Sequence, residues 1–464
     1  MYLFVVHRPL ESLKAKQKRQ LGAASESKCK RRFDFRRSTL CILLPRVRSP
    51  RQFISSGSFA PPLKTCHAWQ VSKPLIFFPT VAAGGGHVAT ARAMAQALEA
   101  IYPGEFEVQV SDYMLELGEH HPDIRRFDEQ HKASWKVALR YPLLARWGQR
   151  VLDSVPTLTR TVQRQQLRSF AKVAAEDLER RAPALIVANH PFLAVGLTLA
   201  QHMSLTLRGG GVPIINFATE PLDASALWAE PRAERFAAPS RAARDDLIRL
   251  GVPGRKVDLV GYPVQQSFLY PPSKEEARRT LGLSEAFTCL VSLGGEGVGG
   301  QVERVVQALV DEEVQVVAIA GRNEGLRGRL ESLAHPNLTV KGFVNDMAPH
   351  LAACDLIVGK AGPASVMEAL AVGRPVLATS YAGLNERKLI RFVESRRLGA
   401  YVPNLERLGE EVRRYGASPE RLSTVTERCA KLGLGEMTEQ IARYLARAAI
   451  HGLPKERFEG RGLD

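Results

Sequence analysis

A glycine run followed by a histidine, Gly84-Gly85-Gly86-His87, is the first group of residues whose types could do chemistry. The apolar run LIFF (75–78) precedes it, and apolar residues at helical spacing follow it over 91–98. We predict a buried strand, a glycine turn and a helix with His87 at its start. Bare backbone lets a ligand come close, and an imidazole with a pKa of about 6.5 suits proton abstraction at neutral pH. A histidine that only caps the helix is the alternative.

A second glycine-rich turn, GGEGVGG (294–300), follows the apolar run 288–293 and precedes another helical pattern. Its backbone amides, Gly294, Gly295 and Gly297 among them, and the helix N-terminus after it could hold a phosphate without a metal. It is not a P-loop, because no Gly-Lys-Ser/Thr follows. A plain strand-to-helix turn needs only one or two glycines, so this density favours a ligand.

A third stretch, 354–393, combines a strand, a small-residue turn and a helix. Gly362 precedes Pro363, which takes the favoured first helical position, and Ala364 keeps the helix start narrow. Such a helix N-terminus attracts phosphate, and Glu368, further into the helix, could accept hydrogen bonds from ribose hydroxyls. The alternative for Glu368 is a solvated helix glutamate.

Asn385 and Glu386 stand where the loop after the next strand enters a helix. This position suits ligand binding, but an N-cap with an acidic first turn is also compatible with it.

Apolar runs that alternate with helical patterns must position these groups. Candidate strands are 75–78, 106–110, 184–188, 213–217, 235–238, 257–261, 288–293, 314–320, 338–341, 355–358, 374–379 and 399–402. The alternation predicts an α/β protein with parallel sheets covered on both faces, in two doubly wound, Rossmann-like domains that face a cleft. Ligands then belong beyond the carboxyl ends of the strands.

The predicted organisation has five parts. They are a basic, disordered leader (1–72), an acceptor-side domain (73–264), a linker (265–284), a donor-side domain (285–434) and a C-terminal helix with a tail (435–464).

The leader carries most of the chain's formal net charge of +16, because residues 1–72 hold 15 Lys and Arg against three Asp and Glu. An unstructured leader or a start codon placed too early is the first interpretation. A transit peptide and an arm for nucleic acid or anionic lipid are the others. The chain has no apolar run of about 18 residues that would predict a membrane span. Its six cysteines form no CxxC pair, which fits a reducing compartment.

Together these motifs resemble the GT-B glycosyltransferases that include monogalactosyldiacylglycerol synthase and the processive diacylglycerol glucosyltransferases. The lipid II-forming N-acetylglucosaminyltransferase is a more distant relative. The resemblance rests on KAGPASVMEALAVGRPV and LNERK within 354–393, GFVNDMAPHLAACDLIV (342–358), GGGHVATARAMAQAL (84–98), NHPFLAVG (189–196) and VDLVGYPVQQSF (257–268). It covers roughly residues 75 to 450 and implies the GT-B fold.

The resemblance implies an inverting transfer of a hexose from a UDP-sugar to a lipid hydroxyl, with diacylglycerol as the first candidate. His87 would be the catalytic base. The implied donor-binding residues are Gly294, Gly295, Gly297, Arg322, Phe343, Gly362, Pro363, Ala364, Glu368, Asn385 and Glu386, with Phe343 facing the uracil. The implied acceptor-side residues are Gly85, Gly86, His190, Glu220 and Trp228. No Asp-x-Asp motif occurs, so neither a metal nor another cofactor is expected.

Two departures from the family pattern leave the acceptor and the sugar open. Glu220 replaces the usual aspartate, and no histidine precedes Trp228; Asn385 replaces a glutamine, and Leu389 is near the place of a missing asparagine. A different acceptor, a UDP-sugar 2-epimerase and a sugar-nucleotide-binding protein without transfer activity are the alternatives. An NAD-dependent oxidoreductase, with Asp112 as its acidic residue, would leave 354–393 unexplained.

The segment 132–152 interleaves aromatic and basic side chains: Trp135, Tyr141 and Trp147 with Lys132, Lys136, Arg140, Arg146 and Arg150. This composition suits an anionic membrane surface. An amphipathic helix packed on the body, with a basic solvated face, is the alternative. We therefore expect a peripheral protein on the cytoplasmic side of a membrane, or in a plastid if the leader is a transit peptide. A nucleic-acid partner is not expected.

Overall fold

The computed structural model describes residues 73–82, 85–204, 207, 211–292 and 302–464. The predicted leader, Gly84 and the glycine turn 294–300 lie outside the described residues. The remaining predictions can be compared with the structure.

Twelve strands occur in the part of the chain that the structure describes, and each lies within two residues of its predicted bounds. They are β1 (Leu75–Thr80), β2 (Glu107–Asp112), β3 (Leu185–Ala188), β4 (Ile214–Phe217), β5 (Arg235–Ala238), β6 (Val257–Leu259), β7 (Thr288–Ser292), β8 (Gln315–Ile319), β9 (Leu338–Lys341), β10 (Leu356–Lys360), β11 (Val376–Ser380) and β12 (Gly399–Tyr401).

Helices connect the strands. They are α1 (Gly85–Ile101), α2 (Tyr113–Gly118), α3 (Pro122–Arg140), α4 (Pro142–Ser154), α5 (Pro156–Gln166), α6 (Arg168–Arg181), α7 (Pro191–Met203), α8 (Arg241–Arg249), α9 (Gln266–Leu269), α10 (Lys274–Leu281), α11 (Val302–Val310), α12 (Glu324–Glu331), α13 (Ala348–Ala353), α14 (Pro363–Ala371), α15 (Leu384–Ser395), α16 (Leu405–Gly416), α17 (Pro419–Lys431) and α18 (Leu434–His451). A 3₁₀ turn spans Gly254–Lys256.

The strands form two six-stranded sheets, in the orders β2-β1-β3-β4-β5-β6 and β12-β11-β10-β7-β8-β9. Every strand pair in both sheets is parallel. Parallel strands need helical crossovers, which cover both faces and require nearly continuous apolar strands. The predicted α/β architecture of two doubly wound sheets is confirmed.

Both faces of the first sheet are buried, as alternate residues of β1 demonstrate. Phe77 packs in one core with residues of α6 and α7, whereas Ile76 and Phe78 pack in another with α1 and α18. The C-terminal helix α18 thus returns to the first sheet. The second sheet is enclosed in one large core that β7, β8, β10 and β11 share with the helices around them.

The segment predicted as a linker, 265–284, contains α9 and α10. Ser273 caps α10 at its N-terminus, and Gly282 ends it with a left-handed φ of 68°. The buried Arg278 of α10 donates to the carbonyl of Ala353 at 3.0 Å and to Asp355 at 2.9 Å. These bonds fix the segment against the second sheet's core.

Candidate active site

His87 is the third residue of α1, directly beyond the carboxyl end of β1. Its Nδ1 lies 2.9 Å from the carbonyl oxygen of Asn189 and 2.9 Å from the hydroxyl of Thr219. A carbonyl oxygen can only accept, so the Asn189 contact places the ring proton on Nδ1. The lone pair is then on Nε2, which is the atom able to take a proton from a substrate.

The backbone in front of His87 is open. A Cβ atom built on Gly85 or on Gly86 would meet no described atom within 4 Å. Among the described residues, no neighbouring side chain therefore fills the space that these two glycines leave. This agrees with the prediction that a ligand approaches the backbone here.

Asn189, at the end of β3, holds His87 in a second way. Its side-chain amide donates to the backbone carbonyl of His87 at 2.5 Å, while Thr90 donates to the same carbonyl at 2.9 Å. The start of α1 is thus fastened to the loop that follows β3.

Two further histidines surround His87. His190 lies edge-to-face with it at 4.6 Å between ring centroids, and His131 of α3 lies 5.2 Å from His190. Nδ1 of His190 accepts from the amide of Phe192 at 3.2 Å, so His190 serves as the N-cap of α7. The predicted acceptor-side residue His190 is therefore next to His87, but at least one of its nitrogens is engaged in the fold.

Burial keeps these imidazoles neutral. Desolvation lowers the pKa of His87 to about 4, and the bond to the Asn189 carbonyl offsets this only in part. Burial first, and then the charges of His87 and Lys132, lower the pKa of His131 to about 4. The pKa of His190 is also lowered well below its usual value by burial. The neutral state of the His87 ring thus results mainly from burial.

Glu220 follows Thr219 beyond the carboxyl end of β4. Its Oε2 is buried and has no hydrogen-bond partner among the described residues. Burial, and then the charge of Asp223, raise the pKa of this carboxyl to about 8. Trp228 is fully buried, with its indole 6.4 Å from the His87 ring. Trp228 therefore lies beside His87, and Glu220 directly follows Thr219, which contacts His87.

The second sheet contributes the start of α14, which directly follows the end of β10. Gly362 is its N-cap, Pro363 is in the first turn, and no side chain caps the helix. The amides of Ala364 and Ser365 have no carbonyl one turn earlier to bond, so they are available to an anion. Helices α1 and α14 contact each other, so the two helices with predicted ligand-binding starts are neighbours across the two halves of the molecule.

Glu368 is on the second turn of α14, partly buried. Burial raises the pKa of its carboxyl to about 7. Burial, and then the charges of Glu368 and Glu220, raise the pKa of Tyr262. Tyr262 is thus an electrostatic neighbour of one carboxyl from each half of the molecule. The alternative of a solvated helix glutamate does not describe Glu368.

Arg322 and Phe343 follow β8 and β9 and form a pair. The guanidinium carbon of Arg322 lies 3.9 Å from the centroid of the Phe343 ring, which is 45% exposed. One face of an exposed aromatic ring is thus covered by a cation. This arrangement suits a ligand with a planar base near the Phe343 ring and an anionic group near the Arg322 guanidinium.

Glu386 is engaged within the protein. Its carboxylate accepts from Nζ of Lys360 at 3.0 Å and from the amide of Ala382, and it is 4% exposed. These bonds close the loop between β11 and α15 onto the end of β10. Asn385, beside it, is partly buried.

The surface of α3–α5 exposes apolar side chains. No residue of α4 is buried, and Leu143, Leu144 and Trp147 are 77%, 47% and 61% exposed. The exposed apolar residues of this surface are Trp135, Val137, Tyr141, Leu143, Leu144, Trp147, Val155, Leu158 and Val162. The alternative of a helix packed on the body by its apolar face is therefore wrong for α4.

The basic residues of the same segment differ in environment. Lys136, Arg140 and Arg150 are exposed. Lys132 instead pairs with Asp112 at 3.2 Å and with Asp128 at 2.6 Å. Lys132 is thus part of the fold rather than of a free basic face.

The predicted donor-side glycines Gly294, Gly295 and Gly297 lie outside the described residues. No helix among the described residues is long and apolar enough to cross a membrane. Within that same part of the chain, His, Cys, Asp and Glu side chains form no group of three or more that could hold a metal.

Several residues of the site escaped the sequence reasoning. Asn189, Thr219 and Tyr262 come directly after β3, β4 and β6 or a few residues beyond. A polar residue beyond the carboxyl end of a parallel strand was the available signal, because that edge of the sheet is where ligands bind.

Comparisons with known proteins identify the family that this chain resembles. Residues 297–418 match the family model of the glycosyl transferases group 1. The chain is 28% identical over 367 residues to the probable monogalactosyldiacylglycerol synthase, chloroplastic, of Nicotiana tabacum, covering 75% of this chain and 66% of the relative. It is 27% identical over 398 residues to monogalactosyldiacylglycerol synthase 1, chloroplastic, of Arabidopsis thaliana, covering 82% and 72%.

Solved structures share the fold at low sequence identity. The glycotransferase of kitacinnamycin matches with a TM-score of 0.52 at 16% identity, over 82% of this chain and all of that one. A Listeria monocytogenes protein assigned as a UDP-N-acetylglucosamine 2-epimerase matches with a TM-score of 0.53 at 12% identity, over 83% and 99%. Together with the two parallel sheets, the comparisons confirm the GT-B fold and the resemblance that the motifs predicted.

Proposed function

We propose that this chain, a GT-B glycosyltransferase homologous to monogalactosyldiacylglycerol synthases, transfers a hexose from a UDP-sugar to the hydroxyl of diacylglycerol with inversion at the anomeric carbon. The glycosyltransferase class is supported by the family model over 297–418 and by the named relatives. The fold alone does not separate a transferase from an epimerase, because structures of both kinds share it.

The observation that carries the proposal is the state of His87. Its Nδ1–H donates to a backbone carbonyl, which leaves the lone pair on Nε2, and no described atom fills the space beside Gly85 and Gly86. This geometry suits a general base for an acceptor hydroxyl. The pKa of about 4 keeps the ring neutral at pH 7, but it also makes the ring a weaker base than a free imidazole. A ring that merely capped a helix would need neither the open space nor the second clamp by Asn189.

In the proposed reaction, Nε2 of His87 takes the proton from the acceptor hydroxyl. The hydroxyl oxygen forms a bond to the anomeric carbon as the bond from that carbon to the diphosphate oxygen breaks, and UDP leaves with the electron pair. The amides at the start of α14 stabilise the developing charge, together with the 294–300 turn and Arg322. Glu368 binds the ribose, Phe343 faces the uracil, and Asn385 and Glu386 shape the sugar pocket.

We expect no metal in this step, because helix amides and cations can neutralise the diphosphate. Transfer measured with excess EDTA should equal transfer measured with added Mg²⁺. A strict requirement for Mg²⁺ would contradict this part of the proposal.

The proposed acceptor is based on the similarity to monogalactosyldiacylglycerol synthases and on the exposed apolar surface of α3–α5. Apolar and aromatic side chains beside Lys136, Arg140 and Arg150 suit the interface of an anionic bilayer, where diacylglycerol resides. We therefore propose a peripheral enzyme at a membrane face. The membrane is a plastid membrane if the leader is a transit peptide.

One assay separates the candidate functions. UDP release is measured with a set of UDP-sugars, UDP-galactose first, with and without vesicles that contain diacylglycerol. A transferase releases UDP faster when diacylglycerol is present. An epimerase converts the donor without lipid, and a binding protein retains affinity for UDP without turnover; either of these outcomes would contradict the proposal.

A further inference from the structure

The two halves of the molecule are joined by an ionic contact beside the proposed site. Lys388 of α15 places its Nζ 2.6 Å from Oδ2 of Asp246 in α8 and 3.6 Å from Oδ2 of Asp223. Helix α15 belongs to the half that holds the second sheet, whereas both aspartates belong to the other half. The contact therefore crosses the boundary between the halves.

The residues that this contact joins are sequence neighbours of proposed ligand-binding residues. Asp223 is three residues after Glu220, and Lys388 is two residues after Glu386. A displacement of Asp223 would therefore also move Glu220, and a displacement of Lys388 would also move Glu386, because so few residues separate the members of each pair.

The acidic side of the contact needs a cation. Asp223 is 7% exposed, and its Oδ1 has no partner among the described residues. Burial first, and then the charges of Asp246 and Asp153, raise the pKa of Asp223 to about 6. Lys388 counteracts this repulsion. Asp153 of α4 also accepts from the amide of Ala226 at 2.7 Å, so it is bonded to the segment that follows Glu220.

A second contact crosses the same boundary. The guanidinium of Arg146 in α4 lies 4.3 Å from the centroid of the Tyr381 ring, which is in the loop that Glu386 closes. Two separate contacts thus hold the 381–388 region against the half that contains His87.

We propose that Lys388 is a positioning residue that fastens the acceptor-side loop containing Glu220 to the start of α15, which contains Glu386, so that the sugar pocket is complete only while this contact is made. The inference rests on the proposed function for its kinetic consequence. Its structural consequence, a closed arrangement of the two halves that depends on Lys388, is independent of which reaction is catalysed.

The test compares Lys388→Met with a matched control, Arg249→Met. Arg249 pairs with the same carboxylate, Asp246, at 2.8 Å, but both residues lie in one helix. The Arg249→Met substitution therefore removes one positive charge beside Asp246 without breaking a contact between the two halves. We expect Lys388→Met to lower kcat/KM for transfer by about 10-fold or more, in the range of couplings between contacting charges. UDP affinity should stay unchanged, because the proposed uridine contacts lie in one half. Arg249→Met should retain normal kcat/KM.

Rescue distinguishes positioning from simple loss of a side chain. Lys388→Arg should retain most activity, and the exchange Lys388→Asp with Asp246→Lys should recover part of what Lys388→Asp alone loses. Thermal melts confirm that each variant is folded, which the 44% exposure of the Lys388 side chain favours.

A distance measurement makes the result independent of activity. Spin labels are attached at Glu99→Cys and Glu410→Cys, two exposed positions of which one lies in each half. Pulsed electron paramagnetic resonance then reports the distance between the two halves, in a background where Cys29, Cys41 and Cys66 are replaced by Ser. The described natural cysteines, 289, 354 and 429, are buried. We expect a broader, longer distance distribution for Lys388→Met only. An unchanged distribution with unchanged kcat/KM, or equal effects of Arg249→Met, would overturn the proposal. If wild type shows no transfer but the distances change as expected, the proposed reaction is wrong and the contact stands.

Discussion

Glu368 should couple UDP binding to the release of a proton. Its carboxyl has a pKa raised to about 7 by burial, so about half of the free protein carries the proton at pH 7. Ribose hydroxyls donate hydrogen bonds, which favour the ionised carboxylate. Binding should therefore lower the pKa and release up to about half a proton at pH 7, and almost none at pH 9.

The same linkage fixes the direction of the pH dependence. With a pKa of about 7, roughly one tenth of Glu368 is ionised at pH 6 and one half at pH 7, so affinity should fall at most about 5-fold between pH 7 and pH 6 through this residue. UDP titrates in this range too, but its own contribution is common to wild type and Glu368→Gln. The difference between the two proteins isolates the residue.

The assay is isothermal calorimetry with UDP in two buffers of different ionisation enthalpy. Glu368→Gln should lose the extra proton release. Glu368→Ala should weaken binding by about 1–3 kcal/mol, the cost of losing a charged hydrogen bond. The exposed Glu410→Ala serves as control. If folded Glu368→Ala binds UDP with wild-type affinity and wild-type proton release, Glu368 is not in the nucleotide site.

The remaining predictions concern the base, acid stability and the membrane. His87→Ala should retain UDP binding but reduce transfer by about 10²–10⁴-fold in a steady-state assay; near-normal turnover at saturating lipid would make His87 only a cap, with Glu220 and His190 the next candidates. His87 and His131 should each lower the free energy of unfolding as pH drops from 6.5 towards 4, because the unfolded chain then binds protons that these rings do not. The raised pKa values of Glu220 and Glu368 act in the opposite direction, so the histidine contribution is the difference between wild type and His131→Phe. Urea unfolding at several pH values measures this, with at most about 3 kcal/mol per histidine, and a slope unaltered by His131→Phe would refute the assignment for that residue. Trp147→Glu should weaken sedimentation with anionic vesicles while leaving UDP affinity unchanged; undiminished sedimentation would mean that another surface binds the membrane.

The strands could be predicted because their burial is reflected in short runs of apolar residues that are visible in the local sequence. Parallel strands covered on both faces are apolar at nearly every position, as in LIFF of β1, where residues 76–78 are fully buried. Short, sharply bounded apolar runs separated by helical patterns leave few other arrangements. The position of His87 beyond β1 followed from the same argument.

The partners of the site residues could not be predicted, because they come from distant parts of the chain. The Nδ1 of His87 meets Asn189 and Thr219, which are 102 and 132 residues away. Lys360 at the end of β10 pairs with Glu386 in α15, and Lys388 pairs across the two halves. Such contacts depend on how the sheets are closed and packed, which residue types and spacing do not specify.

The proposed lipid glycosylation is tested most directly by identifying the product. Purified full-length protein is incubated with a UDP-hexose labelled with ¹³C and with vesicles containing diacylglycerol, and the lipid extract is analysed by mass spectrometry and NMR. We predict a labelled monohexosyl-diacylglycerol with the anomeric configuration opposite to that of the donor, formed by wild type and strongly diminished in His87→Ala. Absence of label from the lipid with every UDP-hexose, or equal product from the variant, would contradict the account.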